Sequence, residues 1–563
     1  MIVARDQSPP RPLDMRQLQI ARDAQASHGQ LGPVAAELGC SSEEEALVAV
    51  GSALGLQVID LSQADLDLSL LDNFPIRLIH RHEVFPVRRE EETLVVATGD
   101  PFNFNALDAV SAATGLSVTA VLAFPEEVSK LIKSHLGVGA ETIDGLMAQS
   151  DDAGVEILEE VDFDSSEASE QAQQPSVVRL VNEILSEAVE LRATDIHLEA
   201  QSYGIKIRYR IDGVLQKQPV PPEMNRFQPA IISRLKIMAK LNIAEKRVPQ
   251  DGRIKLRVCG REIDLRFSII PMLHGEGVVM RVLDKDKMNF SLKGIGMRDE
   301  TFDVFQKLIK RPHGIILVTG PTGCGKTTTL YAALSEIKDE ETKIITTEDP
   351  IEYQLDGINQ IQIHNKVGLT FSSSLRSILR HDPDVVLVGE IRDLETAVNA
   401  IQASLTGHLV FSTLHTNDSA GAFVRMADMG VEPFLVSSTV TGVMAQRLVR
   451  TLCKECREKC SIDELDRPPD FPLEMCREQG GMVYQAVGCR TCRGSGYHGR
   501  TGIYELLVTT EEIRDLACKR SPSHLIKQLS KEQGMRTLRD DGWQRVLAGQ
   551  TTIDDVLRVT ALD

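Results

Sequence analysis

Long apolar runs, a surplus of positive charge, and an N-terminal basic segment followed by an apolar one are all missing from this sequence. Without an apolar run long enough to span a bilayer, we expect no membrane-spanning helix. Without the basic and apolar N-terminal pattern, we expect no secretory signal peptide. The net charge of -19 argues against the broad positive surface that nucleic-acid binding needs. We therefore expect a cytoplasmic protein, and we expect any membrane role to come through partners.

Length and composition indicate a globular protein with several domains. At 563 residues, 42% hydrophobic and 25% charged, the chain is too long for one core and predicts roughly three or four domains. The residue patterns predict an N-terminal domain at 1–138, an acidic flexible linker at 139–175, a second, α+β domain at 176–288, and an α/β core at 292–563 with an insertion at 451–500.

Local patterns also predict individual elements. In the first domain we expect helices over 34–38, 43–54 and 104–114 and strands over 83–87 and 93–97. In the second domain we expect helices over 177–193 and 231–241 and strands over 205–210, 254–258 and 263–269. The first domain has no catalytic spacing, so it is interpreted as a packing and docking module.

A glycine-rich segment organises the core. Gly320 to Thr327 reads Gly-Pro-Thr-Gly-Cys-Gly-Lys-Thr, after an apolar run at 315–318 and before a helical pattern. Glycines in this order turn backbone N–H groups towards a polyphosphate at the positive end of a helix dipole. The segment therefore predicts an ATP- or GTP-binding loop rather than a chance turn, with Lys326 on the β- and γ-phosphates and Thr327 on Mg²⁺. The candidate nucleotide-binding residues of this loop are Gly320, Pro321, Thr322, Gly323, Cys324, Gly325, Lys326, Thr327 and Thr328.

Carboxylates follow two further predicted strands. The strand 343–347 leads into Glu348 and Glu352, and the strand 384–388 leads into Glu390. Open parallel sheets bind ligands at the carboxyl ends of their strands, where nucleotide hydrolases orient water or metal. Because Gly389 stands where an aspartate is usual, Glu390 is predicted to act as general base or through a Mg²⁺-bound water.

A fourth strand, 408–413, is flanked by His408 and His415. Taken alone, each histidine fits a structural role as well as a functional one. The alternation of apolar strands with helical patterns predicts a doubly wound, RecA-like α/β core.

Arginines recur on the strands of the second domain. They are Arg208, Arg210, Arg253, Arg266 and Arg281. Such residues usually form solvated strand faces. Beside a nucleotide-binding domain, some of them are candidates for arginine fingers. Such a finger would reach the γ-phosphate of a nucleotide bound by the same chain or by a neighbouring subunit.

The cysteines of the insertion form two pairs with metal-ligand spacing. Cys453 and Cys456 make one CxxC pair, and Cys489 and Cys492 make the other. Together the pairs predict one structural Zn²⁺ site with four thiolates and no open position, and Cys460 is a rival ligand. The alternative is two unrelated pairs of reduced cysteines.

Taken in order, these motifs resemble one family. The loop Gly320 to Thr327, the acidic segment 347–352, the strand 384–393, the histidine segment 406–415 and the four cysteines occur in the order of the secretion ATPases. The chain thus resembles the ATPases of type II secretion systems and their close relatives, the type IV pilus assembly ATPases. The resemblance covers roughly residues 176–563.

The resemblance implies a homohexameric ring of RecA-like P-loop cores that hydrolyses ATP with Mg²⁺ and carries a zinc-binding insertion. It implies that the preceding domain supplies arginines to the nucleotide, with Arg266 and Arg281 as the best candidates and Arg253 behind them. It gives Glu390 the catalytic role and Glu348 and Glu352 the positioning of metal or water. His408 and His415 would couple the nucleotide state to the core.

The N-terminal domain has a weaker resemblance. Residues 28–137 are similar to the domain that docks such ATPases to an inner-membrane platform. In some relatives that domain binds cyclic di-GMP through Arg-Leu-Gly, whereas the corresponding residues here are Gln30, Leu31 and Gly32. We therefore do not expect a cyclic dinucleotide at this stretch.

Other functions remain as alternatives. An ATPase of type II secretion and one of type IV pilus extension are barely separated by the sequence, although the four cysteines argue against a pilus retraction ATPase. A DNA-translocating ATPase could use the same core, but the acidic charge counts against it and we expect no direct nucleic-acid partner. A non-hydrolysing scaffold would leave Glu390 and the arginines without a purpose.

Overall fold

The computed structural model describes residues 13–136, 155–157, 167–284 and 291–560, except residues 29–30, 32–33, 41, 62–63, 65, 73, 76–77, 80–81, 91 and 259. Most of the predicted linker and both Gln30 and Gly32 lie outside the described residues. The chain divides into two compact units between Asp284 and Lys285. The finer domain boundaries remain predictions. Among the described residues no helix has the length and apolar character needed to cross a membrane.

The first unit begins with a four-stranded sheet and its helices. Its elements are α1 (Met15–His28), α2 (Glu43–Leu54), β1 (Gln57–Val58), β2 (Val84–Glu90), β3 (Thr93–Thr98), α3 (Phe104–Thr114), β4 (Ser117–Leu122) and α4 (Pro125–Leu136). The strand order is β1-β4-β3-β2. The side chain of Ser42 accepts a hydrogen bond from the Glu45 N–H and caps α2. The prediction of a helix over 34–38 is wrong. This stretch makes a single turn that ends at Gly39, whose φ is 77°.

The rest of the first unit is a seven-stranded antiparallel sheet with helices. Its elements are β5 (Val155–Ile157), α5 (Glu167–Ala172), α6 (Pro175–Glu190), β6 (Asp195–Gln201), β7 (Gly204–Ile211), β8 (Val214–Lys217), α7 (Gln228–Met238), β9 (Gln250–Val258), β10 (Arg261–Met272) and β11 (Gly275–Asp284). The strand order is β5-β9-β10-β11-β6-β7-β8. One face of this sheet packs with α6 and α7 in an apolar core. Because side chains alternate along a strand, the other face carries the polar residues.

One lysine is buried within this unit. Lys236 is 1% exposed, its Nζ lies 2.6 Å from Glu276 Oε1, and it donates to the backbone oxygen of Glu245 at 2.7 Å. Removing one partner of a buried pair leaves an uncompensated charge, so we expect Lys236→Ala to lower the free energy of unfolding by about 3–5 kcal/mol. Chemical denaturation of the wild-type protein and of the Lys236→Ala variant measures this difference in free energy. Arg247→Ala is the control, because Arg247 pairs with Glu245 in the same segment but is exposed, and it should change stability little.

The second unit contains a seven-stranded, mainly parallel sheet. Its elements up to the insertion are α8 (Asp299–Ile309), β12 (Gly314–Thr319), α9 (Lys326–Ile337), β13 (Ile344–Glu348), β14 (Asn359–Gln362), α10 (Phe371–Ile378), β15 (Val385–Val388), α11 (Leu394–Leu405), β16 (Leu409–Leu414), α12 (Gly421–Asp428), α13 (Pro433–Thr439) and β17 (Val440–Leu452). The strand order is β14-β13-β15-β16-β12-β17-β20, where β20 is the strand Tyr497–Val508, antiparallel to β17. The four central strands therefore end at the same edge.

The insertion and the last two helices of this unit form a small separate core with residues of β17 and β20. The insertion holds β18 (Glu458–Ser461), α14 (Leu473–Glu478) and β19 (Met482–Gln485), and the chain ends with α15 (Glu511–Cys518), α16 (Ser523–Glu532), α17 (Leu538–Leu547) and α18 (Ile553–Val559). Trp543 on α17 packs edge to face on Phe471 of the insertion, with the ring centres 5.5 Å apart. The insertion is therefore joined to the sheet through the C-terminal helices.

Candidate functional site

The glycine-rich loop has the geometry of a phosphate-binding loop. It follows the buried strand β12 and leads directly into α9. Gly320 has a φ of 144°, and a Cβ there would lie 2.7 Å from the backbone oxygen of Gln446. Gly325 has a φ of 90°, and a Cβ there would lie 2.9 Å from Gln446 Nε2. Only glycine fits these two positions without strain. The loop ends at the N-terminus of α9, and a helix N-terminus favours a bound anion.

Lys326 is held inside the curve of this loop. Its Nζ donates to the backbone oxygens of Gly320 at 2.8 Å and Pro321 at 3.1 Å. Burial lowers the pKa of Lys326, and the nearby Glu390 carboxylate acts in the opposite direction. The lysine and the predicted catalytic carboxylate therefore share one electrostatic environment.

Glu390 is brought together with His415 by two neighbouring strands. Its Oε2 lies 3.5 Å from His415 Nε2, and its Oε1 lies 2.7 Å from Arg392 Nη2. The Thr413 hydroxyl donates to the Gly389 oxygen at 2.8 Å and fixes the turn before Glu390. A side chain on Gly389 would lie 3.1 Å from the Thr347 oxygen, so an aspartate would be crowded there. The Glu390 side chain is 15% exposed, and its charge acts on Lys326.

Glu348 is enclosed rather than open to a metal. It is 4% exposed, and the Tyr331 hydroxyl donates to its Oε2. Thr346 Oγ1 at 2.5 Å and Gln360 Nε2 at 3.1 Å both donate to its Oε1. These bonds tie α9, β13 and β14 together, and they give Glu348 a supporting position. The half-buried Glu352 follows in the same acidic segment.

The structure separates the two predicted histidines. His415 follows the carboxyl end of β16, whereas His408 precedes its amino end, and its Nδ1 lies 2.8 Å from the Ala403 oxygen. A six-residue strand separates the two histidines, so the edges are roughly 20 Å apart. Within one chain, His408 therefore lies at the edge of the sheet away from the phosphate loop, and its role in coupling the nucleotide state to the core stays a prediction.

The sequence analysis missed a buried polar contact behind the loop. Thr329 Oγ1 donates to Gln446 Oε1 at 2.7 Å, and both residues are buried. Because Gln446 also lies against Gly320 and Gly325, it joins β17 to the loop and to α9. Two adjacent polar residues, Gln446 and Arg447, within the otherwise apolar stretch 443–449 were the signal in the sequence.

The three candidate finger arginines stand in one row on the first unit's sheet. Arg266 is directly opposite Arg253 on β9 and Arg281 on β11. The row continues to Asp195 and Arg210, whose positions also face each other. Asp195 pairs with Arg281 at 3.2 Å and with Arg210 at 3.3 Å. Like charges opposite one another destabilise a sheet, so this row is suited to an anionic partner.

The four predicted zinc ligands lie together. The Sγ atoms of Cys453, Cys456, Cys489 and Cys492 are all within 4.8 Å of one another. Two pairs across the knuckles are 3.7 Å apart, and Cys489 and Cys492 are 3.8 Å apart. A tetrahedral ion with Zn–S bonds of about 2.3 Å requires sulfurs about 3.8 Å apart, so this donor set fits one zinc ion. Backbone N–H groups of Gly488, Cys489 and Gly496 point at two of the sulfurs, as they do around thiolates.

Cys460 is not part of this group. Its thiol donates to the Val483 oxygen, and it packs in the apolar core of the insertion. The two CxxC pairs therefore form the cluster without the rival ligand.

Two family models match the chain. The model described as Type II/IV secretion system protein matches residues 170–558, and the MshEN domain model matches residues 54–142. The first match contains the loop, Glu390, His415, the arginine row and the four cysteines. The second contains most of the four-stranded sheet at the N-terminus.

Full-length relatives carry related names. The chain is 44% identical to the Type II secretion system protein E of Xanthomonas campestris pv. campestris over 96% of this chain and 95% of that protein. It is 38% identical to the Type IV pilus assembly ATPase PilB of Myxococcus xanthus over 98% of this chain and 97% of that protein.

A solved structure supports the fold. The ATPase DotB of Legionella pneumophila covers 68% of this chain and 95% of its own, with a TM-score of 0.50 and 21% identity. At this identity the likeness concerns the fold alone. Together with the family match over residues 170–558, the phosphate loop and the Glu390 cluster, it identifies the chain as a member of the type II/IV secretion system protein family and an ATP-hydrolysing secretion or pilus ATPase.

Proposed function

We propose that this chain hydrolyses ATP in a homohexameric ring to power pseudopilus assembly and protein export by a type II secretion system. The observation that carries this proposal is the cluster of Lys326, Glu390 and His415 at one edge of a parallel sheet. The full-length identity of 44% to a type II secretion protein, against 38% to a pilus ATPase, favours the secretion system.

Hydrolysis follows from the groups at that edge. The loop N–H groups and Lys326 bind the β- and γ-phosphates of ATP. Glu390 orients a water molecule and takes its proton as the water oxygen bonds to the γ-phosphorus and the bond to ADP breaks. Mg²⁺ bound with ATP would neutralise charge on the phosphate oxygens, and Thr327, half-buried in the first turn of α9, is the residue to hold it. His415 holds Glu390 in place and senses its charge.

The arginine row completes the site from a neighbouring chain. Arg266 and Arg281, with Arg253 beside them, would contact the γ-phosphate of the next subunit, since the strand register places the three guanidinium-bearing residues side by side. Hydrolysis frees the γ-phosphate as inorganic phosphate. Once that phosphate leaves, the arginines lose their anionic contact and the domain relaxes. Around a ring, these movements would push or turn the machinery.

The remaining parts have supporting roles. The N-terminal domain would dock to inner-membrane platform proteins, which is how a chain with no candidate membrane-spanning helix among its described residues would reach the membrane from the cytoplasm. Cys453, Cys456, Cys489 and Cys492 would hold Zn²⁺, which stabilises the insertion.

Type IV pilus assembly is the second candidate, because the match to PilB also covers nearly the whole chain. Deleting the gene in the source organism separates the two. Loss of exported enzymes with pili intact supports the secretion role, and loss of surface pili with export intact supports the pilus role.

The biochemical test is the ATPase rate per chain against protein concentration. We expect the rate to rise as rings form and to rise further with the cytoplasmic domain of a platform protein. A rate independent of concentration and of that partner would contradict a ring with shared sites.

A further inference from the structure

His415 depends on the turn that follows it. Its ring is about half exposed and contacts Glu390 at 3.5 Å, just beyond the end of β16. The turn Asn417–Ser419 comes next and leads into α12. What fixes this turn therefore also fixes the position of the imidazole ring.

Two buried charged side chains reach this turn. Arg447 Nη2 donates to the Asn417 oxygen at 2.8 Å. Glu505 Oε1 accepts from the Ser419 N–H at 2.9 Å and from the Ser419 hydroxyl at 2.5 Å. Arg447 is 8% exposed, and Glu505 and Ser419 are fully buried.

Both side chains come from one face of the ribbon formed by β17 and β20. Glu505 is directly opposite Ala445, and Arg447 is two residues further along the same strand. Arg447 also lies behind the phosphate loop, because a Cβ on Gly320 would be 3.0 Å from its Nη1. The other Glu505 oxygen accepts from the Leu538 N–H, at the start of α17, at 3.3 Å. The turn, the loop and a C-terminal helix thus meet at this pair.

A buried carboxylate needs a reason to be there. Burial raises the pKa of Glu505, while its bonds to Ser419 oppose the rise. An apolar side chain would avoid this cost, and none of the reaction steps above uses Glu505. Two of its hydrogen bonds are accepted from Ser419, in the turn that follows His415.

We propose that Glu505 and Arg447 clamp the turn Asn417–Ser419 and thereby position His415 against Glu390 for ATP hydrolysis. They are positioning residues, since neither reaches the reacting atoms. Because the proposal rests on hydrolysis at Glu390, a Glu390→Gln variant with normal turnover would overturn the proposed site itself. Normal kcat in both Glu505→Gln and Ser419→Ala, beside an inactive Glu390→Gln variant, would overturn the clamp alone.

Stability should show a pH dependence of opposite sign to that of an ordinary salt bridge. The groups facing Glu505 are Arg447, Lys527, Asp418 and the Ser419 N–H and hydroxyl. Because the folded pKa is raised above 4.5, the native state binds this proton more tightly, and Glu505 weakens folding progressively as pH rises through its folded pKa. We expect the melting temperature of Glu505→Gln, relative to wild type, to increase as pH rises above 4.5, until Glu505 is ionised in the folded protein. A constant difference would contradict a raised pKa.

The test of the clamp combines turnover, nucleotide binding and stability in the full-length protein. For Glu505→Gln and for Ser419→Ala we expect kcat to fall about ten- to hundredfold because His415 is misplaced. The Kd of a fluorescent, non-hydrolysable ATP analogue should change less than about twofold, because the phosphate loop is untouched. Ser419→Ala removes one hydroxyl only, so it carries the test if Glu505→Gln fails to fold.

The same substitutions in a protein that lacks His415 distinguish a positioning role from a merely structural one. In a His415→Gln protein, with phosphate release followed in single turnovers, Glu505→Gln and Ser419→Ala should cause no further loss. Asp555→Asn is the matched control. Asp555 is a buried carboxylate that accepts hydrogen bonds from Arg450, which lies on β17 as Arg447 does. Its loss should lower the melting temperature and leave kcat unchanged. Unchanged kcat in both clamp variants, or an equal further loss in the His415→Gln background, would overturn the proposal.

Discussion

Replacing Glu390 by glutamine should lower kcat about 10²- to 10⁴-fold, the range that a positioned general base contributes. The amide keeps the shape of the side chain but accepts no proton, and it weakens the contacts to His415 and Arg392. Binding of ATP should be retained, since the loop and Lys326 are unchanged. Single-turnover phosphate release and nucleotide titration measure the two effects separately.

Asp384→Asn provides the matched control for this result. Asp384 immediately precedes the strand β15, whose other end leads into Glu390, and its carboxylate accepts only from the Lys343 N–H among the hydrogen bonds described for it. Its loss should leave kcat within about twofold of wild type. If Glu390→Gln retained full turnover, hydrolysis would use another base and the assignment of the site would be wrong.

Removing zinc should disrupt the core of the insertion. Structural zinc supplies on the order of 10 kcal/mol of binding free energy in small domains, so Cys453→Ser or treatment with a strong chelator should expose that core. The chain has a single tryptophan, Trp543, which packs on Phe471 and donates to Asp470 Oδ2 at 3.2 Å. Its fluorescence should therefore shift to the red as zinc is released.

The same experiment contains its own check. Elemental analysis should give one zinc per chain, and zinc release and the fluorescence shift should coincide. Lys326→Ala should bind nucleotide poorly and leave the tryptophan emission unchanged. A chain without bound metal that keeps the wild-type emission and melting temperature would contradict a structural zinc site.

Local signals in the sequence gave correct elements where short-range geometry decides them. The helices 43–54 and 104–114 begin and end as predicted because each has a side-chain cap at its start and a left-handed glycine after its end. Gly39 also has a left-handed conformation, but the stretch 34–38 before it makes only a single turn. The phosphate loop is also local, since strand, glycines, lysine and helix are contiguous.

The features that could not be predicted from the sequence depend on contacts between segments that are far apart in the chain. The alignment of Arg253, Arg266 and Arg281 depends on strand register, which no single segment encodes. His408 and His415 flank one strand, and an extended strand necessarily places its ends at opposite edges of a sheet. The clamp residues Arg447 and Glu505 belong to no motif, because their significance lies in contacts with a turn far away in the chain.

The measurement that tests the account most directly mixes two inactive variants. Glu390→Gln lacks the base, and Arg266→Ala lacks the proposed arginine finger, so neither should hydrolyse ATP alone. If each site uses Glu390 of one chain and Arg266 of its neighbour, rings assembled from equal amounts should recover about one quarter of the wild-type rate. A mixture no more active than its separate components would contradict sites shared between chains.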